Sequence, residues 1–128
     1  MMRIMLDTNA YSAFKRGDER MIRILSQADE ILLPTPVIGE LRSGFRSRNR
    51  EAENIGELHS FLSSPRVRVH PLGEETAIFY AEVFSALRTA GKPIPVNDVW
   101  IAAAVMESGS VLVSRDAHFD AVAGIVKW

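Results

Sequence analysis

The sequence predicts an α/β domain with a central, mainly parallel sheet of four to five short strands. Three observations carry this expectation. Short apolar runs alternate with stretches of helical spacing, the pattern of a parallel sheet crossed over by helices. Two of the runs, Ile4-Met5-Leu6 and Val111-Leu112-Val113, stop abruptly at polar clusters, Asp7-Thr8-Asn9 and Ser114-Arg115-Asp116. The balance of 47% hydrophobic and 24% charged residues is that of an ordinary globular chain. At 128 residues, one domain over 1–128 is expected, long enough to bury roughly two-thirds of its unfolded surface without staples.

In chain order, Ile4-Met5-Leu6 reads as a buried first strand, and Ala10 to Arg16 as a helix punctuated by Gly17-Asp18. Met21, Ile22, Ile24 and Leu25 give a second short helix ending near Ala28. Ile31-Leu32-Leu33 is strand two, stopped by Pro34. Pro36 suits the first turn of the next helix, whose apolar face is Val37, Leu41, Gly44 and Phe45. A helix over about Arg50 to Leu62 buries Ile55, Leu58 and Leu62, and Ser63-Ser64-Pro65 ends it. Val67-Arg68-Val69, between two prolines, fits an edge-like third strand.

Gly73 to Ala90 is the longest helix, with Ala77, Tyr80, Phe84 and Leu87 as its expected apolar face. Phe79 and Val83 widen that face beyond one core contact, which suggests self-association. After the loop Gly91-Lys92-Pro93-Ile94-Pro95, Asn97 and Asp98 open a helix that is apolar nearly all round, and so buried on most sides. Gly109 ends it, Val111-Leu112-Val113 is strand four, and Ile125-Val126 is a candidate fifth.

Charge and cysteine content narrow the chemistry. Fifteen basic against sixteen acidic side chains leave a net charge of −1, so no global field advertises a polyanionic partner. With no cysteine there are no disulfides or thiolate metal sites, as in a protein of the reducing cytoplasm. No apolar run approaches the roughly 18 residues of a membrane span, and the N-terminus lacks a signal-peptide core. A cytoplasmic protein with an oxygen-ligated metal, or none, is therefore expected.

Four acids stand out by position. Asp7 and Asp116 end strands, Glu40 lies early in the helix after strand two, and Asp98 lies in the first turn of the buried helix. Each has an ordinary reading: Asp7 can cap the helix that follows, and Asp98 can serve the helix macrodipole. But neighbouring parallel strands lie about 4.8 Å apart, and the helices leaving their carboxyl ends begin on one side of the sheet. Four carboxylates gathered there cannot all stay ionised without compensation. A hard divalent cation, Mg²⁺ or Mn²⁺, supplies it. Thr8, Asn9 and Ser114 add neutral groups that orient the carboxylates or a water. Arg42, Arg46, Arg48 and Arg50 read either as a solvated helix end or as a phosphate-contacting rim, and Arg115 lies beside the fourth acid. His59 is expected to be structural or exposed and His118 structural, since nothing in the sequence pairs with them.

These residues carry a resemblance. Asp7-Thr8-Asn9, Glu40-Leu41-Arg42-Ser43-Gly44, Asn97-Asp98-Val99-Trp100-Ile101-Ala102-Ala103 and Ser114-Arg115-Asp116-Ala117-His118-Phe119 resemble the successive motifs of the PIN-domain family. More narrowly, they are similar to the VapC-type ribonuclease toxins of toxin–antitoxin pairs. Ser114 stands where that family often has threonine, which keeps the hydroxyl. The resemblance implies a three-layer α/β/α domain and a Mg²⁺/Mn²⁺-dependent endoribonuclease. It places the acidic site at Asp7, Glu40, Asp98 and Asp116, with Thr8 or Ser114 assisting. It also implies a homodimer, and a small antitoxin that inserts into the active-site groove.

The expected chemistry follows from the charges. Asp7, Asp98 and Asp116 hold the ion, with Glu40 a second ligand site or a general base. Water activated there displaces the 3′ oxygen in line and leaves a 5′-phosphate. Arg42, Arg46, Arg48, Arg50 and Arg115 would hold RNA backbone. One alternative is a catalytically inactive RNA-binding or regulatory module of the same fold. Another is an aspartate-based phosphotransfer domain. The phosphatase form of that wants a second Asp two residues after the first, where this chain has Asn9, and the receiver form wants paired acids and a late lysine.

Overall fold

The computed structural model describes residues 1–128. Four strands, β1 (Arg3–Leu6), β2 (Glu30–Pro34), β3 (Val67–His70) and β4 (Val111–Val113), form one sheet in the order β3-β2-β1-β4. Every pairing is parallel. Parallel strands need crossovers, and six helices supply them. These are α1 (Thr8–Lys15), α2 (Glu19–Gln27), α3 (Thr35–Arg46), α4 (Glu51–Leu62), α5 (Glu74–Ala90) and α6 (Val96–Ser108). A short 3-10 turn spans Ala117–Ala121.

The apolar runs sit where their hydrophobicity demands. Ile4, Met5 and Leu6 occupy the sheet's inner strand and are wholly buried, as are Leu33, Leu112 and Val113. In α6, Val99 and the continuous run Ile101 to Val105 are all buried, so this helix is itself core. Its all-round apolarity is explained by burial on every side. Gly109, at φ +65°, closes α6 in the left-handed conformation that only glycine adopts freely.

Three expectations need correcting. In α5 the buried side chains are Thr76, Val83 and Leu87, while Ala77 and Phe84 are exposed. Tyr80 is only half-buried, resting on Trp100 of α6 with ring centroids 4.2 Å apart. A helix with apolar residues on several sides has more than one possible inward face, and docking on α6 selects it. In α4 only Leu58 is buried; Ile55 and Leu62 are half-covered. The fifth strand reduces to a single parallel bridge, Leu112 with Lys127, one residue past Ile125-Val126. Backbone bonds from Leu112 N to Val126 O (2.9 Å) and from Trp128 N to Leu112 O (2.8 Å) hold the C-terminus along β4.

The topology prepares a site. From β1 the chain steps outward through β2 to β3, then returns to the other side of β1 as β4. The strand order therefore reverses between β1 and β4, and the crevice beyond the carboxyl ends at such a point is where open α/β sheets bind ligands. Leu6 pairs with Val113, so Asp7 and Ser114, each next in its strand, leave the sheet side by side.

Candidate active site

Asp7 lies at the floor of this crevice, 5% exposed. Its two oxygens have separate tasks. Oδ1 accepts from the backbone N–H of Ala10 at 2.8 Å and so caps α1. Oδ2 accepts from the hydroxyl of Ser114. The two readings of Asp7, cap and site residue, are therefore compatible. The Ser114 hydroxyl oxygen also accepts from Asp116 N at 3.0 Å, fixing the turn that carries the next acid.

Asp98 is the third residue of α6, whose N-cap is Pro95, and its carboxylate caps no backbone group. It faces His118 instead: Nδ1 of that ring lies 2.9 Å from Asp98 Oδ2 and 3.1 Å from Asp116 Oδ1. Asp116 Oδ1 also accepts from His118 N at 2.9 Å. Asp98, Asp116 and His118 thus bring ligand atoms within 4.8 Å of one another. The expectation that nothing pairs with His118 is overturned. Twenty residues separate it from Asp98, and only the closure of β4 against β1 and α6 brings them together. The lone sequence signal was its place two residues after Asp116.

Glu40 sits in the second turn of α3, too far along for the macrodipole to explain it. It is exposed, and Oε1 accepts from the Thr8 hydroxyl at 3.0 Å, which ties the start of α1 to α3. Asn9 is exposed.

Electrostatics link these groups. Burial pushes the Asp7 carboxyl above its ordinary 3.8; the Ser114 and Ala10 bonds oppose this, and the charges of Asp116 and Glu40 add to it. Asp98 is raised too, first by burial, with His118 opposing and Asp116 and Asp7 adding. The basic residues nearby are engaged elsewhere. Arg115 bonds Asp18 at 2.6 Å, while Lys127 bonds Asp120 at 2.8 Å and the backbone oxygen of Asp116 at 3.0 Å. The charges of Asp7, Asp98 and Asp116 thus act on one another, and the His118 imidazole is the one side-chain nitrogen bonded to any of the three carboxylates. A donor set of carboxylate oxygens with no sulfur fits a hard divalent cation.

The arginine rim is partly neutralised. Arg50 bonds Glu53, and Arg46 lies 3.6 Å from Glu51. Arg42 and Arg46 line an open groove with Ser43, Glu51 and Ile55. Arg48 lines a separate cavity between α1, α3 and α4. His59 is exposed.

A parallel α/β sheet with a carboxylate nest at its switch point defines the class of this protein, an α/β domain with a cation-demanding crevice. Its family is the PIN domain: the family profile matches residues 4–125, and the chain belongs to it. Among relatives, a protein named Ribonuclease VapC2 from Haemophilus influenzae is 29% identical over 118 residues, covering 91% of this chain and 88% of its own. Toxin FitB from Neisseria gonorrhoeae is 30% identical over 123 residues, covering 88% and 87%. The structure of VapBC-5 from Mycobacterium tuberculosis, described as a member of the VapBC family of toxin-antitoxin systems, superposes with a TM-score of 0.76. It is 21% identical and covers 100% of both chains. The chain thus shares family and fold with ribonuclease toxins.

Proposed function

We propose that this chain is a Mg²⁺- or Mn²⁺-dependent endoribonuclease acting as the toxin of a toxin–antitoxin pair. The observation that carries this reading is the gathering of Asp7, Asp98 and Asp116 at one crevice with the His118 imidazole beside two of them and no lysine or arginine side chain paired with any. Relatives named ribonuclease and toxin support the substrate class and the biological role.

Asp7, Asp98 and Asp116 would hold the ion, with Glu40, whose charge is felt at Asp7, as a second ligand site or a general base. A divalent ion there supplies Lewis acidity toward the phosphodiester and lowers the pKa of attacking water. The remaining work falls to the chain. Ser114 and the Ala10 amide keep the Asp7 carboxylate in one orientation. His118 does the same for Asp98 and Asp116, and Thr8 for Glu40. In-line displacement of the 3′ oxygen leaves a 5′-phosphate product. Arg42, Arg46 and their neighbours would bind backbone phosphates without reading bases.

The reading extends to partners: a small antitoxin that closes the acidic groove, and a second copy of this chain. Exposed Ile78 (58%) and Phe84 (40%) on α5 suit a protein contact.

The test is RNA cleavage by the purified chain with Mg²⁺ or Mn²⁺, mapping the ends produced. Asp7→Asn and Asp98→Asn are expected to abolish cleavage and keep the fold. Full cleavage by Asp7→Asn with Mg²⁺ present would remove the mechanism. Metal binding without turnover on any RNA would make the chain a binding module instead.

A further inference from the structure

The His118 ring stands among the acids in the geometry of a ligand. Its Nδ1 lies 2.9 Å from Asp98 Oδ2 and 3.1 Å from Asp116 Oδ1. Ligands about 2.1 Å from an octahedral ion stand about 3.0 Å apart when they occupy adjacent positions. Both separations match such an edge, and the ligand atoms of all three residues lie within 4.8 Å of one another. A single N–H points in one direction and aligns well with only one of two oxygens, whereas an ion takes all three atoms at once.

The ring is held ready by the turn that carries it. Phe119, next in the chain, is buried and anchors that turn in the core. Asp116 N donates to Ser114 Oγ at 3.0 Å and His118 N to Asp116 Oδ1 at 2.9 Å. Lys127 Nζ braces the far side, donating to the Asp116 backbone oxygen at 3.0 Å and pairing with Asp120 at 2.8 Å. Asp98 comes from the opposite direction, on a helix whose next turns are core. The three donors therefore meet because rigid elements bring them together. The His118 side chain is half exposed, which leaves the set open on one side. Neither other histidine competes for this role: His70 is bonded to Glu107 at 2.7 Å, and His59 is exposed.

Resting on the metal-dependent reading above, we propose that His118 Nδ1 ligates the ion beside Asp98 and Asp116, and that this nitrogen makes the site prefer Mn²⁺ to Mg²⁺. Carboxylate oxygens suit both ions, while imidazole suits the first-row transition metals and is a poor partner for Mg²⁺. Exchanging one oxygen of the set for nitrogen therefore penalises Mg²⁺ more than Mn²⁺. Ligation uses the neutral ring through the lone pair of Nδ1. Without an ion the same atom bridges the two carboxylates, so the ring serves both states from one position.

The test loads the full chain, labelled with ¹⁵N-histidine, with Mn²⁺ and reads it by pulsed EPR. Coupling to one directly bound ring nitrogen is expected in the wild type, a readout that needs no variant to fold. The coupling should vanish in His118→Ala and His118→Gln. Affinities for Mn²⁺ and Mg²⁺ come from Mn²⁺ EPR titration, with Mg²⁺ as the competitor. A ring that only oriented the acids would, when removed, cost both ions alike, about 10–100-fold. Ligation instead predicts that His118→Ala loses about tenfold more affinity for Mn²⁺ than for Mg²⁺. Glutamine can still bond the carboxylates but has no ring nitrogen, so His118→Gln should recover Mg²⁺ binding and leave Mn²⁺ binding weak. Mn²⁺ bound by the wild type without nitrogen coupling, or equal losses for the two ions, would overturn ligation by His118 and leave the metal-dependent nuclease standing. A wild type that binds neither ion would overturn both.

Discussion

Asp98→Asn should make the metal-free protein more stable while it destroys the site. Asp98 and Asp116 bring carboxylate oxygens within 4.8 Å of each other. Two unit charges at that separation repel by about 3.5 kcal/mol at an effective dielectric near 20, and by about 0.9 kcal/mol in bulk water. Asp98 and Asp116 are both only partly exposed, so the relief lies between these limits, about 1–3 kcal/mol. For 128 residues, at about 2.1 cal/mol/K of unfolding entropy per residue, that corresponds to a rise in Tm of about 4–11 °C. Asparagine retains an oxygen for the bond to His118, so little is lost in exchange. The assay is thermal unfolding by circular dichroism in EDTA. Saturating Mg²⁺ or Mn²⁺ should then stabilise the wild type by about 2.7 kcal/mol at a hundredfold excess over Kd, and the variant by far less. An unchanged or lower Tm for Asp98→Asn in EDTA would mean that the two carboxylates do not strain against each other, and the electrostatic case for a cation would fail.

Asp7 gives a pH signature. Its carboxyl is raised above 3.8, chiefly by burial, so the folded chain holds that proton longer than the unfolded one. Its stabilising share is complete below 3.8 and is lost as pH climbs through the raised value. Metal-free wild type should therefore lose stability relative to Asp7→Asn across that window; parallel urea-unfolding curves from pH 3.5 upward would contradict this. Ser114→Ala removes the hydroxyl between Asp7 Oδ2 and Asp116 N and should cost about 1–3 kcal/mol in urea unfolding, with Ser114→Thr restoring most of it. Replacing Arg46, Arg48 and Arg50 together with alanine should weaken RNA binding and flatten its salt dependence by about 0.7 in slope for each phosphate no longer neutralised. An unchanged slope would remove them from the RNA surface.

Much of the architecture was legible because it is written locally. Ile4-Met5-Leu6 and Val111-Leu112-Val113 are apolar runs too short for helices, and both are buried strands. The all-round apolarity of Val99 to Val105 announced a core helix, and it is one. Asp7 and Ser114 were legible as strand-end residues, since a polar cluster after a buried run marks a carboxyl end. The inward face of α5 was not legible. Tyr80, Val83, Phe84 and Leu87 offer two overlapping stripes, and packing on Trp100 and α6 chose the one that buries Val83 and exposes Phe84.

By itself, then, the sequence determined which segments become strand or helix and which acids stand at their ends, because hydrophobic period and chain punctuation are properties of neighbours. Only the tertiary structure decided that His118 bridges Asp98 and Asp116 and that Thr8 holds Glu40. Each of these joins groups on different elements. Such distances are fixed when the sheet closes between β1 and β4, and no spacing along the chain encodes them.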